Sequence, residues 1–467
     1  MAVMNDNGKS RETFGSRFAV IMAMAGSAIG LGNIWRFPYM LGENGGAAFI
    51  IVYLVCTVLL SVPVFLSEAV IGRKTHLGTF GAMRGLAPHS GWKWLGLLTV
   101  VTPFIILSYY SVVGGWSIEY LAKSFLPGFT DASPGASSAF FERFTTSVWG
   151  PLACHTLFLL CCAVILLGGV KKGIERFSNV TMPLLFVLIV AIAIYSIALP
   201  GASEGVKYLL KPDFSKINGA SVAAAMGQSF FSLSLGVGAI LTYSSYIEED
   251  ENLMASAAGT VTADLLFAIL AGFAIMPAVF AAGIEPGAGP GLLFDTLPYI
   301  FAKMGLSTPV LSHVVSVLFF LAILVAALSS AVSLFEVEVS FLIEERGLRR
   351  GTAIALVFTS CWAVGALCSL SFGPLAGLRI AGKSIFGFLD MISSDYLMAL
   401  GGLLFAVFVG WKLPRQTVYG QLAEASGTPS SRGRRVTAKL FPPVYFLIKW
   451  AAPVLIVIVF ITNLLYK

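Results

Sequence analysis

Three stretches of this chain put glycines, hydroxyls, amides and charges where an apolar helix would otherwise run unbroken. The first is Gly26-Ser27-Ala28-Ile29-Gly30-Leu31-Gly32-Asn33-Ile34-Trp35-Arg36-Phe37-Pro38, and the second is Ser232-Leu233-Ser234-Leu235-Gly236-Val237-Gly238. The third is Ala326-Ala327-Leu328-Ser329-Ser330-Ala331. Interrupted helices free backbone carbonyls and amides, and in a lipid-like interior those groups persist only where they line a cavity or are buried in protein. Hard cations such as sodium take oxygen ligands. Freed carbonyls, the Asn33 amide, the Ser232 hydroxyl and the Ser329-Ser330 pair together supply a sodium-type donor set. A serine pair in a membrane helix ordinarily packs or bonds back to the preceding turn, so the pair gains this meaning only from its company.

Ionisable residues within the apolar stretches are costly, and each is a functional hypothesis. Arg36 follows the first break. Glu68 follows Pro63 and reads as a helix-orienting acceptor for unwound backbone. Asp264 is followed by Leu265-Leu266-Phe267-Ala268 and resists a structural explanation. Glu336 and Glu338 read as a wet cytoplasmic face, with Glu344 below them; Asp390 and Asp395 stand near the outer start of a later span. Tyr109-Tyr110 lies at mid-span depth, which favours hydroxyls facing a cavity over an interfacial belt.

The elements that position these residues are membrane helices. The 467-residue chain is 57% hydrophobic and 12% charged, against about 25% charged residues in soluble domains, and its mean hydropathy is +0.86. A span needs roughly 20 apolar residues, and eleven are expected, centred near residues 27, 60, 106, 158, 188, 235, 270, 324, 360, 398 and 455. No cleavable signal peptide is visible. Lys9, Arg11 and Arg17 precede the first span, and Arg73, Lys74, Arg84 and Lys93 follow the second. Lys171, Lys172 and Arg176 follow the fourth, Arg346, Arg349 and Arg350 the eighth, and Lys412 through Lys439 the tenth. The positive-inside rule puts this side in the cytoplasm, with the N-terminus inside and Lys467 outside a cell inner (plasma) membrane. The net charge of +6 is therefore a topology signal and not a nucleic-acid footprint.

The six cysteines sit in apolar stretches and read as small core residues. The four histidines show no ligand spacing. No catalytic triad, zinc or phosphate-loop pattern is present, so an enzyme is excluded. Residues 125–148 and 200–218 read as external connections, 284–306 as a re-entrant segment or short helical lid, and 413–440 as a mobile cytoplasmic linker. Breaks in corresponding spans of two halves point to a site at a repeat interface. One transmembrane domain over 1–467 is thus expected, with repeats at about 14–200 and 218–412 and an eleventh helix at 441–467. Five spans per repeat is an odd number, so the second repeat enters from the opposite side.

GSAIGLGNIWRFPY (Gly26–Tyr39), ENGGAAF (Glu43–Phe49), GIERFSNVTMP (Gly173–Pro183), GQSFFSLSLGVGAILTYSSY (Gly227–Tyr246) and AALSSA (Ala326–Ala331) resemble the neurotransmitter:sodium symporter family, specifically its bacterial amino-acid transporters. The resemblance runs from about Arg11 to the tenth span. It implies an all-α, leucine-transporter-like fold with inverted repeats, a known property of that family; relatives often carry a twelfth span. It further implies sodium-driven symport of a neutral amino acid, with two sodium ions and no organic cofactor. The first sodium would meet Ala28, Asn33, Ser232 and Asp264; the second would meet Gly26, Ile29, Ala326, Ser329 and Ser330. The substrate carboxylate would meet the first sodium, the amides of Leu31 and Gly32 and the Tyr110 hydroxyl. Its ammonium would meet carbonyls near Ala28, Phe231 and Ser232 and the Ser234 side chain.

The same resemblance assigns an outer gate to Arg36 with Asp390 over Tyr110 and Phe231, and an inner gate to Arg11 with Glu344, supported by Tyr246. Asp395 is the alternative outer partner. Two departures carry expectations. Asp264 supplies a fixed charge where chloride-dependent relatives have a serine one turn beyond an Asn, which implies chloride independence. Val237, with Ile106, Ser333 and Leu334, widens an apolar pocket beside Ser330 and favours large hydrophobic or aromatic L-amino acids. The competing class is a sensor or channel on the same fold; a sensor would carry an added domain or a damaged sodium site, and a channel would need a continuous polar pore. The expected partners are a small-molecule substrate, sodium and the bilayer, and nothing in the sequence sets an oligomeric state.

Overall fold

The computed structural model describes residues 12–126, 133, 135–284, 293–294, 296–305, 309–424 and 431–466. Their regular structure is helical, with one isolated bridge at Ile380 and Lys383. The chain begins with α1 (Arg17–Ala28), α2 (Gly32–Glu43), α3 (Ala47–Thr75), α4 (Thr79–Leu86), α5 (Lys93–Ser124) and α6 (Ala136–Thr146). It continues with α7 (Trp149–Leu167), α8 (Val170–Ile197), α9 (Ser203–Leu210), α10 (Gly219–Ser232), α11 (Ala239–Ser244) and α12 (Leu253–Ala281). The remainder is α13 (Thr296–Gly305), α14 (Val310–Arg346), α15 (Arg350–Leu370), α16 (Ile385–Lys412), α17 (Arg415–Tyr419) and α18 (Arg435–Thr462).

Among the described residues, nine helices are long and apolar enough to cross a membrane, or ten when α1 and α2 count as one span bent by 55°. α10 and α11, of 14 and 6 residues, are individually too short to be counted so. Ten of the eleven expected centres fall inside helices, and the one at 235 falls in the gap between α10 and α11.

Side-chain caps fix where several helices start. Ser16 accepts from the Ala19 amide at 3.2 Å, Asn218 from Ser221 at 2.9 Å and Asn252 from Ala255 at 3.1 Å. Each satisfies a donor that the first turn cannot pair internally.

The helices sort into two groups. α5, α7, α14 and α15 pack against one another as a block. The broken pairs α1–α2 and α10–α11 lie with α3, α8 and α12; α1 touches α14 on one side and α8 and α12 on the other, while α11 lies along α3. The two breaks therefore meet between a continuous scaffold and a more interrupted bundle.

Three connections contain helices: residues 125–148 hold α6, residues 200–218 hold α9, and the segment expected as a re-entrant or short helical lid holds α13, with 127–132, 134, 285–292, 295 and 306 outside the described residues. Residues 413–440 are not a bare linker: α17 continues to Glu424, and a helix begins again at Ser431, with 425–430 outside the described residues. Contacts explain the order. Arg415 lies over the rings of Phe441 and Tyr445, and Arg73 donates to Gln421 Oε1 at 2.7 Å and to its carbonyl. The cysteines are unbridged, four of them buried and Cys154 and Cys161 half-buried.

Candidate functional site

At the first break, α1 stops at Ala28 because Ile29 turns to extended backbone, and a π-helical turn at Gly32–Arg36 restarts the chain at a new angle. Gly30 is required by close approach: a Cβ there would run into Ser330 Oγ and lie 3.0 Å from the Tyr110 hydroxyl. At the second break Gly236 and Gly238 take φ of 78° and 75°, and Ser234 takes 51°. Glycine adopts that backbone without steric cost, whereas Ser234 is held there by its surroundings. Gly236 also abuts the Met398 carbonyl of α16, where any side chain would collide. Glu68 holds this second break as expected, accepting from the Gly236 amide at 2.7 Å and the Leu241 amide at 3.4 Å.

The breaks are joined by hydroxyl–carbonyl contacts. Ser330 Oγ donates toward the Ser27 and Ile29 carbonyls at 3.2 and 3.3 Å. Ser329 Oγ lies 3.3 Å from the Ile29 carbonyl and 2.9 Å from that of Ala326. Ser234 Oγ donates to Ser27 at 3.0 Å, and Ser27 Oγ to Ser333 Oγ at 2.8 Å. Ile29, Ala326, Ser329 and Ser330 are thus brought together. Gly26 packs nearby, where a Cβ would sit 3.5 Å from Ser178 Oγ. Sequence reasoning missed Ser27, whose carbonyl receives hydroxyls from α14 and from the second break.

A second polar cluster lies deeper. Asn33 Nδ2 donates to Asp264 Oδ1 at 2.7 Å and to Ser232 Oγ at 3.0 Å, and Ser232 Oγ is 2.9 Å from both Asp264 oxygens. All three side chains are buried. Asn33 Oδ1 accepts from the Gly30 amide at 3.3 Å, an amide orientation assigned from the hydrogen-bond pattern. Gln228 donates to the Gly32 carbonyl at 2.9 Å while its own Oε1 is unpartnered, and the buried Tyr53 hydroxyl lies beside Asp264 and Ser232. Neither residue was singled out by sequence, although a tyrosine and a glutamine in apolar spans were a usable signal.

Between the clusters is a chamber of about 30 Å³, walled by Ala28, Leu31, Gly32, Ile106, Tyr110, Phe231, Ser234, Val237, Ser330, Leu334 and Met398. The Tyr110 hydroxyl accepts from the Leu31 amide at 3.2 Å, so a hydroxyl and a helix-start amide converge at one corner. Outside it opens a vestibule of about 710 Å³, whose lining includes Arg36, Tyr109, Tyr110, Phe231, Phe386, Asp390 and Asp395. Arg36 lies 4.6 Å from the Phe231 ring centroid. The ion pairs among the described residues do not join Arg36 to Asp390, which is exposed and accepts from Ser394 at 3.1 Å. Asp395 is buried.

The opposite end is packed shut. Phe14 is buried edge-on against Tyr243 and Tyr246, and its amide donates to the Tyr246 carbonyl at 3.0 Å. The Tyr246 hydroxyl donates to Glu336 at 2.7 Å, and Arg350 pairs with Glu336 at 2.5 Å. Glu336 and Glu338 are therefore buried, contrary to the wet face expected of them. Arg350 opens the next helix and supplies a counter-charge to Glu336, while Glu338, two residues on, faces α5 near Phe104. Glu344 accepts from the Gly78 amide at 2.7 Å. Arg11 lies outside the described residues. No cluster of His, Cys, Asp or Glu able to hold a metal occurs among the described residues.

Comparison with known proteins bears on the fold and the family. The chain matches the model of the sodium:neurotransmitter symporter family over residues 11–133 and 143–466. It is 36% identical over 450 residues to the uncharacterized sodium-dependent transporter YhdH of Bacillus subtilis, covering 96% of each chain. It is 35% identical over 474 residues to an uncharacterized sodium-dependent transporter of Haemophilus influenzae, covering 99% of this chain and 100% of the relative. Among solved structures, MhsT in complex with L-phenylalanine is similar with a TM-score of 0.86 and 40% identity, over 97% of this chain and all of that one.

Proposed function

The chain belongs to the sodium:neurotransmitter symporter family, and from that premise we propose that it carries a neutral, large hydrophobic or aromatic L-amino acid into the cell with sodium, by alternating access. It is a multi-pass membrane transporter that uses sodium, not an enzyme. The observation that carries the reading is the convergence of Ser27, Ile29 and Ala326 carbonyls with Ser329 and Ser330 hydroxyls between the broken end of α1 and α14. This all-oxygen set suits a hard cation. Asn33, Ser232, Asp264 and the Ala28 carbonyl form the other sodium position in the proposal. The Leu31 amide and Tyr110 hydroxyl receive the substrate carboxylate, and Ser234 lies toward the ammonium.

A carboxylate that also ligates sodium makes each solute raise the affinity of the other, and that coupling is reciprocal. The membrane potential adds about 2.3 kcal/mol per net charge per 100 mV. Arg36, Phe231 and Asp390 form the outer gate; Arg11, Tyr246 and Glu344 belong to the inner one. The basic loops then face the cytoplasm.

Support for a large apolar side chain comes from the walls, Ile106, Val237, Leu334 and Met398, and from the L-phenylalanine complex of MhsT. The chamber's 30 Å³ is about one water's share of liquid volume, so binding requires Phe231 and Met398 to give way toward the vestibule. Asp264 holds a fixed negative charge next to the first sodium position, and transport therefore runs without chloride.

Sodium-dependent binding of a labelled amino-acid panel to the purified chain tests this. Leucine, phenylalanine or tryptophan should displace label better than glycine or alanine, and replacing chloride by gluconate should leave uptake unchanged. Asn33→Ala and Ser330→Ala should each raise the sodium requirement by about tenfold or more, as expected when a buried polar partner is lost. Glycine preference, or uptake that collapses in gluconate, would refute the corresponding part.

A further inference from the structure

A groove of about 570 Å³ lies outside the site, on the side of the basic loops, between the start of α5 and the second half of α16. Its floor and walls are Leu95, Leu98, Leu400 and Leu404, flanked by Trp92 and Trp94, and its mouth carries Ser90, Gly91 and Lys412. Trp92 is fixed edge-on against Phe408 at 5.0 Å, whereas Trp94 and Leu400 stay 62% and 37% exposed. Leu400 and Lys412 stand on one helix, and twelve residues at 1.5 Å each separate them by about 18 Å. The groove thus runs from a cationic mouth to an apolar depth over roughly the length of an acyl chain.

Charge selects the occupant. Lys93 sits 5.5 Å from the Trp94 ring, and Lys449 lies over Trp411 and Trp450, beside Lys412. Neither residues 85–104 nor residues 398–415 contain an Asp or Glu. Tryptophan favours the headgroup level of a bilayer, and cytoplasmic lysines attract anionic headgroups. We infer that this groove binds one anionic phospholipid of the leaflet facing the basic loops, its headgroup at Lys412 and Gly91 and an acyl chain along Leu98, Leu400 and Leu404.

Native mass spectrometry of the full chain in mild detergent, with phosphatidylglycerol or phosphatidylcholine of matched chains, tests the assignment. Phosphatidylglycerol should be retained about fivefold over phosphatidylcholine, the ratio expected from one lysine beside an anionic headgroup. Lys412→Gln should bring that ratio near one and Lys412→Arg should keep it. Leu404→Trp, which fills the apolar depth, should lose both lipids while sodium-dependent amino-acid binding shows the protein intact. Glycerol 3-phosphate should not compete. Equal retention of the two lipids, an unchanged ratio in Lys412→Gln, competition by glycerol 3-phosphate, or a second copy of the chain retained in place of lipid would each overturn the inference. None of these readouts depends on which amino acid is carried.

Discussion

The two ends of the central chamber are closed by different physics. On the vestibule side, one half-buried ring, Phe231, with Arg36 lying over it, separates the chamber from about 710 Å³ of open space. On the opposite side, residues 12–16 are tied down by four separate contacts. Val170 N donates to Glu12 at 2.6 Å, Thr13 to Glu248 at 3.1 Å, Phe14 N to the Tyr246 carbonyl at 3.0 Å and Gly15 N to Glu175 at 2.9 Å. A ring turns on its own side-chain torsions, whereas a strap held at several points releases only when the contacts fail together. The larger free-energy threshold therefore stands at the sealed end, and a cation–π contact in partial solvent contributes only about 0.5–1 kcal/mol at the other.

The sharpest way to break this asymmetry is Glu336→Gln. It removes the charge that Arg350 and Tyr246 share and leaves a largely buried guanidinium without its counter-ion. Breaking a buried pair costs roughly 3–5 kcal/mol. Arg350 keeps a quarter of its side chain exposed, so about 2–3 kcal/mol is the better figure after screening. Hydrogen exchange at the Phe14 and Gly15 amides should speed up by about 30–150-fold; exchange unchanged from the parent would show that the seal does not depend on this pair. A smaller effect is expected of Phe14→Leu, which keeps apolar burial but loses two edge-on ring contacts, at about 1 kcal/mol. The same amides should then exchange about fivefold faster, and an effect as large as that of Glu336→Gln would place the seal in packing.

The asymmetry also marks what could be read from residue types. Gly26, Gly30, Gly236 and Gly238 announced both breaks because glycine is itself the backbone statement, and Glu68 announced the orphan amides it serves. Ser27 was silent because its contribution is a carbonyl, which every residue has. Glu336 was misread because its partner, Arg350, belongs to another helix, and the periodicity of α14 says nothing about what packs over it. The order in 413–424 was hidden for the same reason: Gln421 looks like linker until Arg73, from α3, reaches it. Local chemistry was legible; pairing across helices was legible only where the family resemblance supplied it, as for Asn33, Ser232 and Asp264.

At the open end the effects should shrink. Phe231→Leu removes the ring that Arg36 covers and thins the barrier over the chamber, so bound amino acid should leave about three- to fivefold faster in a dilution experiment. A change above about a hundredfold would mean the ring is the main closure, and the comparison of the two ends would reverse. Asp390→Asn should do least. Asp390 is exposed and accepts a hydrogen bond from Ser394, so any attraction to Arg36 acts through water across the vestibule and is worth about 0–1 kcal/mol. Binding at fixed sodium should weaken by less than about fivefold, and the difference from the parent should vanish when choline chloride raises ionic strength to about 1 M, where charges are screened within about 3 Å. A salt-insensitive loss of tenfold or more would instead require a direct, desolvated Arg36–Asp390 pair in the loaded state, a second seal at the outer end to match the one around Glu336.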